Sequence, residues 1–214
     1  MNIYVESNFV LEVALAQEQH ESCESILALC AANRAQLLIP AFSIAEPYQT
    51  LERRHRQRRQ TKRELDSELT QLARTAGYAQ SLSGAQSLVD LLIDSTDEEA
   101  RRLEATRAKL IQTAAILPLD ATVLSAATPY QAEYDLSPED AIVYATVVAH
   151  LKTSPSEASC FLNRNTRDFD DPDLISELWR YGCKMLPRFD SGYQYILASL
   201  RPESSGTASP PPSR

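Results

Sequence analysis

Four acidic positions stand where a chain of this pattern could do chemistry. Glu6 directly follows the apolar run Ile3-Tyr4-Val5. Glu46 lies six residues beyond Pro40, which stops a second apolar run at 36–39. Asp140 opens a helix behind Ser137-Pro138-Glu139. Asp168 sits in the polar turn Asn163-Arg164-Asn165-Thr166-Arg167-Asp168-Phe169, after a third apolar run, Ser159-Cys160-Phe161-Leu162. Singly, most of these have a plain reading: Glu46 as a solvated helix acid, Asp140 as a first-turn acid favoured by the helix dipole. Glu6 is harder to dismiss, because a carboxylate taken out of water behind a buried strand is costly unless paired or liganded. Carboxylates gathered in one pocket also repel one another. Hard divalent cations such as Mg2+ or Mn2+ relieve that repulsion and prefer oxygen ligands. An ion held there lowers the pKa of a water molecule and stabilises charge on a phosphate.

Such a site needs elements that bring four distant segments together. Ile3-Tyr4-Val5 predicts a short buried strand, with Ser7 as the N-cap of a helix carrying Phe9, Val10, Val13 and Ala14 inward. A second helix is expected over 19–32, with Cys23, Ile26, Leu27 and Cys30 inward, and a second strand over 36–39. From Phe42 the pattern turns helical to about residue 76. Gly77 and Gly84 interrupt it, and a long helix follows with Leu88, Leu91, Leu92, Leu103 and Leu110 on its apolar stripe. Ser95-Thr96-Asp97-Glu98-Glu99 reads as a fresh helix start within it. Residues 116–119 are a connector or short strand. Ser137 at N-cap, Pro138 at N1 and acids in the first turn open the next helix. A third strand over 159–162, a helix over 173–181, a fourth strand over 183–186 and a closing helix over 191–200 complete the reading. This alternation implies an α/β protein, a three-layer sandwich around a short parallel sheet. In such sheets, sites lie beyond the carboxyl ends of the strands, where Glu6 and the 163–169 turn fall. Residues 1–200 read as one domain, about 52–117 as a helical arm inserted in it, and 201–214 as a disordered tail.

Composition narrows the function classes. No stretch of the 214 residues approaches the roughly 20 apolar residues that span a bilayer, and the N-terminus shows no basic leader before an apolar segment. A soluble, cytoplasmic protein without a membrane partner is expected. The four cysteines show no CxxC spacing and read as small buried apolar side chains. His20-Glu21-Ser22-Cys23-Glu24 lacks the second histidine of a zinc-protease helix, and the Gly-rich phosphate loops and the GxSxG elbow are absent. Net charge is −8, yet 53–63 alone holds seven arginines and lysines. Removing those seven positive charges leaves the remainder near −15. The chain is an acidic body with one basic arm. The plain reading of that arm is a solvated helix face partnered by Glu52, Glu64 and Asp66.

Four blocks of this sequence resemble the PIN-domain family. Val5-Glu6-Ser7-Asn8 is similar to its opening strand, acid, small hydroxyl and Asn, with Glu6 one methylene longer than the usual Asp. Ile39-Pro40-Ala41-Phe42-Ser43-Ile44-Ala45-Glu46 resembles the segment carrying its Glu. Leu136-Ser137-Pro138-Glu139-Asp140-Ala141-Ile142-Val143-Tyr144-Ala145 resembles the Asp opening an Ala-rich helix. Phe161 to Phe169 matches the strand, Thr-Arg-Asp turn and Asp-Phe. The resemblance implies a ribonuclease, as in the VapC-like toxins of that family, often dimeric and silenced by a small antitoxin protein. It implies Glu6, Glu46, Asp140 and Asp168 as catalytic acids around Mg2+ or Mn2+. Glu6 and Asp140 would be ligands; for the last corner the resemblance favours Asn165, while ligand chemistry favours Asp168, an amide being neutral and weaker. Ser7 or Asn8 would help orient them, with Glu139 at the periphery. Acids that hold metal repel the phosphates of RNA, so positive charge is needed nearby. The arm's Arg53, Arg54, Arg58 and Arg59, and Arg164 beside Asn165, with Arg167, are the candidates. The alternative from a different class is a non-catalytic PIN-like module that binds RNA or protein through the arm.

Overall fold

The apolar runs become strands because each one sends alternate side chains to two covered faces. In the computed structural model, residues 1–78, 82, 84–156, 158–165, 169 and 171–201 are described. The strands are β1 (Asn2–Val5), β2 (Gln36–Pro40), β3 (Ala114–Leu117), β4 (Ser159–Leu162) and β5 (Cys183–Leu186). They form one parallel sheet in the order β3-β2-β1-β4-β5. On one face Ile3, Val5, Leu37, Ile39, Cys160 and Leu162 join a core with α1 (Ser7–Leu15), α2 (His20–Ala31), the root of α3 (Ala41–Ala73), α4 (Ala85–Thr113) and a closing helix, Phe189–Ser199. On the other, Tyr4, Leu38 and Phe161 join a second core with α5 (Ala121–Tyr134), α6 (Pro138–Thr153) and α7 (Pro172–Arg180). The closing helix, Phe189–Ser199, is α8. The three-layer α/β/α sandwich expected from the sequence is therefore the fold. All four cysteines are free and buried among these layers.

The chain leaves β1 toward β2 on one side and returns to pair β4 on the other, so strand order reverses at β1. That reversal is where doubly wound sheets open a crevice beyond their carboxyl ends. The register sets Val5 opposite Leu162, which brings Glu6 and Asn163, the next residues of each chain, to the same edge.

Several local readings shift. Glu6, not Ser7, caps α1: its carboxylate accepts the Asn8 backbone N–H at 2.8 Å, and Ser7 is the first helical residue. The segment 116–119 is replaced by a strand two residues earlier, β3, paired to β2. Helix α5 has no counterpart in the sequence reading; Asp120 caps it by accepting the Val123 N–H, and Pro129 within it hides the pattern. No helix starts afresh at Ser95. The Ser95 and Thr96 hydroxyls donate back to the Leu92 and Ile93 carbonyls, a local alternative to capping, and α4 runs through.

The arm departs most from its expected stripe. Leu88 and Leu91 are 69% and 61% exposed, while Val89, Thr96, Leu103 and Leu110 are buried. The buried stripe repeats every seven residues, and its middle is polar. Across the α3–α4 seam Arg58 donates to Glu99 at 2.9 Å and to Ser95 at 3.1 Å, His55 meets Glu99, and Lys62 meets Asp90 at 3.3 Å. Polar seam residues escape a search for apolar periodicity. The root is apolar: Leu51, Leu103 and Leu110 belong to the core beneath α1. Replacing Leu110 by Ala is expected to destabilise the protein by about 2–5 kcal/mol, whereas Leu88→Ala stays within about 0.5 kcal/mol. Urea denaturation followed by circular dichroism measures both; equal effects would contradict this placement of the root.

Candidate active site

Each acid reaches the sheet edge by a different local device. Glu6 is fixed by being both the residue after β1 and the cap of α1. Oxygen Oε2 accepts the Asn8 N–H, while Oε1 is buried and has no hydrogen-bond partner among the described residues. Glu46 lies on the first turns of α3, and the Ser7 hydroxyl donates to its Oε2. Asp140 is the third residue of α6. The Ser137 hydroxyl accepts the Asp140 N–H at 3.0 Å and donates to its Oδ2 at 2.7 Å. From the turn after β4, the Asn165 side-chain amide donates to both Asp140 oxygens at 3.2 and 3.3 Å. Asn163 shapes that turn: its N–H donates to the Leu186 carbonyl at 3.1 Å, and its Oδ1 accepts the Asn165 N–H at 2.7 Å.

These residues open on one cavity of about 480 Å³. Glu6, Glu46, Asp140 and Asn165 line it, joined by Ser7, Asn8 and Glu139, with Arg53 and Arg54 at its arm side. Asp168 and Arg167 lie outside the described residues. Among those described, no three His, Cys, Asp or Glu side chains form a ready-made set for one ion; the carboxylates share the cavity without closing on a point. The donors are nevertheless all hard oxygens, and the bare, buried Glu6 Oε1 is the feature a divalent cation satisfies. The residues present fit such an ion.

Electrostatics agree with crowding. Burial, first, and then the Glu46 and Asp140 charges push the Glu6 carboxyl up to about 8, against the lowering effect of its bonds to Asn8. Glu46 is raised as well, chiefly by burial and then by Asp140 and Glu139, while the Ser7 bond and Arg53 pull the other way. A shift caused by desolvation and like charge together marks a functional-site candidate.

The basic residues divide. Arg53 and Arg54 line the cavity, three to four residues apart from Gln49 and Thr50 and those in turn from Glu46, so one face of α3 carries all five. Arg58 instead faces α4 and pairs Glu99. Arg59 lies 3.4 Å from Glu52, which also holds Arg56 at 2.9 Å. Arg164 is committed to Glu12, with Glu18 at 3.6 Å. Sequence reasoning missed Gln49 and Thr50, which the helical spacing from Glu46 could have found. It also missed the partners Ser137 and Asn163 make, and Glu12, for which the sequence carries no signal.

A parallel sheet in three layers, with acids gathered at its switch point, defines a doubly wound α/β protein with an acidic cavity. A family model described as PIN domain matches residues 3–169, and the chain belongs to the PIN-domain family. PIN domains are generally nucleases. No curated protein gives a significant match to the chain.

The crowded acids carry a pH signature. Folded, Glu6 keeps its proton up to about pH 8; unfolded, it releases it near 4.5. Between those values the folded state binds more protons, so this group's contribution to stability falls as pH rises. His150, lowered by burial, acts in the opposite sense, so the parent is best compared with Glu6→Gln. In EDTA the variant is expected to melt near the parent at pH 5 and several degrees above it at pH 8, since about 1 kcal/mol moves Tm by roughly 2–4 °C in a chain of this size. A constant difference in Tm between pH 5 and 8 would overturn the assignment.

Proposed function

We propose that this protein is a metal-dependent endoribonuclease of the cytoplasm whose reaction centre is the cavity of Glu6, Glu46, Asp140 and Asn165. The observation that carries the reading is the bare Glu6 Oε1, buried beside two further carboxylates. Nothing in a structural role requires three acids to share one cavity, and their repulsion is relieved by a cation. Glu6 and Asp140 would hold Mg2+ or Mn2+, with Asn165 or Asp168 completing the set. Bound there, the ion would lower the pKa of a water and neutralise charge developing on a phosphate. The chain's own residues do the rest. Ser7 holds Glu46 so that its second oxygen is available to orient, and accept a proton from, a water in the cavity. Ser137 and Asn165 hold Asp140 from opposite elements and stop its rotation. Arg53 and Arg54 meet the RNA backbone on the arm side. The toxin role, the homodimer and the antitoxin partner rest on the family resemblance alone, and growth and RNA integrity after induced expression test the first of them.

Purified protein is incubated with structured and unstructured RNAs in Mg2+, Mn2+ or EDTA. Internal cleavage is expected with either ion, none in EDTA, and none above background for Asp140→Asn. Intact RNA with a demonstrably ion-loaded cavity would overturn the enzyme and leave a binding module. The double variant Arg53→Gln, Arg54→Gln is expected to bind RNA more weakly. Its dependence of log affinity on log salt should fall by about 1.4, at about 0.7 per single-strand phosphate contact. An unchanged salt slope removes both arginines from the interface.

A further inference from the structure

Glu12 takes no part in the cavity, yet it is the most completely buried charged side chain described, at 0% exposure in the middle of α1. An ionised carboxylate in that position is tolerated only if its oxygens are fully engaged. Both are. Oxygen Oε1 accepts the Gln19 backbone N–H, and Oε2 accepts the Arg164 guanidinium, 152 residues away in sequence. Gln19 is itself anchored, its side-chain oxygen accepting the Phe189 and Asp190 N–H groups at 2.7 and 3.1 Å. Glu12 is thus a rigid fixture of the α1 layer, and Arg164 is fastened to it.

Arg164 is the second residue of the turn leaving β4. Its neighbour Asn163 is tied to β5 through the Leu186 carbonyl, and its other neighbour Asn165 reaches Asp140 of α6. Three consecutive residues are therefore pinned to three different elements. The Arg164 tether joins the turn to the layer that also supplies Glu6, as the cap of α1, and Ser7, which holds Glu46. One helix thereby sets three corners of the cavity.

We propose that Glu12 is a positioning residue: through Arg164 it fixes the turn after β4 so that the Asn165 amide stays on Asp140 and the cavity keeps its shape. The inference rests on reading that cavity as an ion site. Neither member of the pair lines the cavity.

The test uses the full chain. Arg164→Ala alone leaves a buried, unpaired carboxylate and is prone to unfold. The informative variants are the double Glu12→Leu, Arg164→Met, which removes both charges, and Arg164→Lys, which keeps both. In EDTA, the Asn165 side-chain amide resonances, assigned by their loss in Asn165→Asp, report its bond to Asp140. They are expected to move toward solvent-exposed values in the folded double variant and to stay near the parent's in Arg164→Lys. Mn2+ affinity by calorimetry should fall about tenfold or more in the double variant, the range found when partners of metal ligands are removed, with kcat lowered and KM for RNA within about twofold. If the double variant folds with parental Asn165 resonances and parental Mn2+ affinity, the pair is a stabilising contact only and the proposal fails. A parent that cleaves no RNA would instead sink the enzyme reading, while the Asn165 resonances still decide this one.

Discussion

Acidic groups crowded together at the end of a sheet are the constraint on which the rest depends. Glu6, Glu46 and Asp140 come from α1, α3 and α6 and face one cavity. Glu6 and Glu46 are held by neutral donors, the Asn8 N–H and the Ser7 hydroxyl, and Asp140 accepts from the Ser137 hydroxyl and the Asn165 amide. A neutral donor fixes an oxygen without cancelling its charge. Had the partners of Glu6 and Glu46 been lysine or arginine, those two acids would form ordinary ion pairs. The structure contrasts this with Glu12, in the same helix, which meets Arg164. Two buried carboxylates six residues apart on α1 are therefore solved in opposite ways, one by compensation and one by leaving an oxygen bare.

An arrangement of that kind lowers stability, and proteins have little to spare. The layers around it supply the offset. The central strand β1 is buried along its whole length, and its side chains feed both cores in alternation. Because a slip of one residue would exchange the two faces, the register that sets Val5 opposite Leu162 is strongly specified. The positions of Glu6 and Asn163 follow from it. Placement of the chemistry is thus inherited from the packing of apolar residues that never touch the cavity.

This explains what could be read in advance. Strands, helix α6 and the acids after them were legible, because a buried parallel strand is a short continuous apolar run and Ser137-Pro138-Glu139-Asp140 is a complete start signal. The family match over residues 3–169 spans the same blocks. What stayed hidden is non-local or polar. Glu12 looks like any helix acid until Arg164 arrives from the far side of the sequence. The α3–α4 seam defeated the search for an apolar stripe because His55, Arg58 and Lys62 fill one side of it and Ser95, Glu99 and Asp90 the other. The cap of α1 moved by one residue because the carboxylate of Glu6 reaches the Asn8 N–H, something a propensity for serine cannot anticipate.

The same seam changes the meaning of the basic stretch. Seven positive charges in eleven residues suggest a strong field, but Arg58 and Lys62 are turned into the hairpin, Arg56 and Arg59 share Glu52, and Arg63 donates to Gln60. Arg53 and Arg54 remain at the mouth of the cavity, and neither forms an ion pair among the described residues. Their distance from the acids matters as much as their number. An arginine in contact with Glu46 would occupy the oxygen that the chemistry requires. At the rim its charge still acts on a polyanion within the Debye length, about 8–10 Å at physiological salt, and lowers Glu46 slightly without binding it. In the proposed nuclease, attraction of phosphate and retention of carboxylate oxygens are opposed demands, and the two arginines stand about two helical turns from Glu46 along the same face of α3.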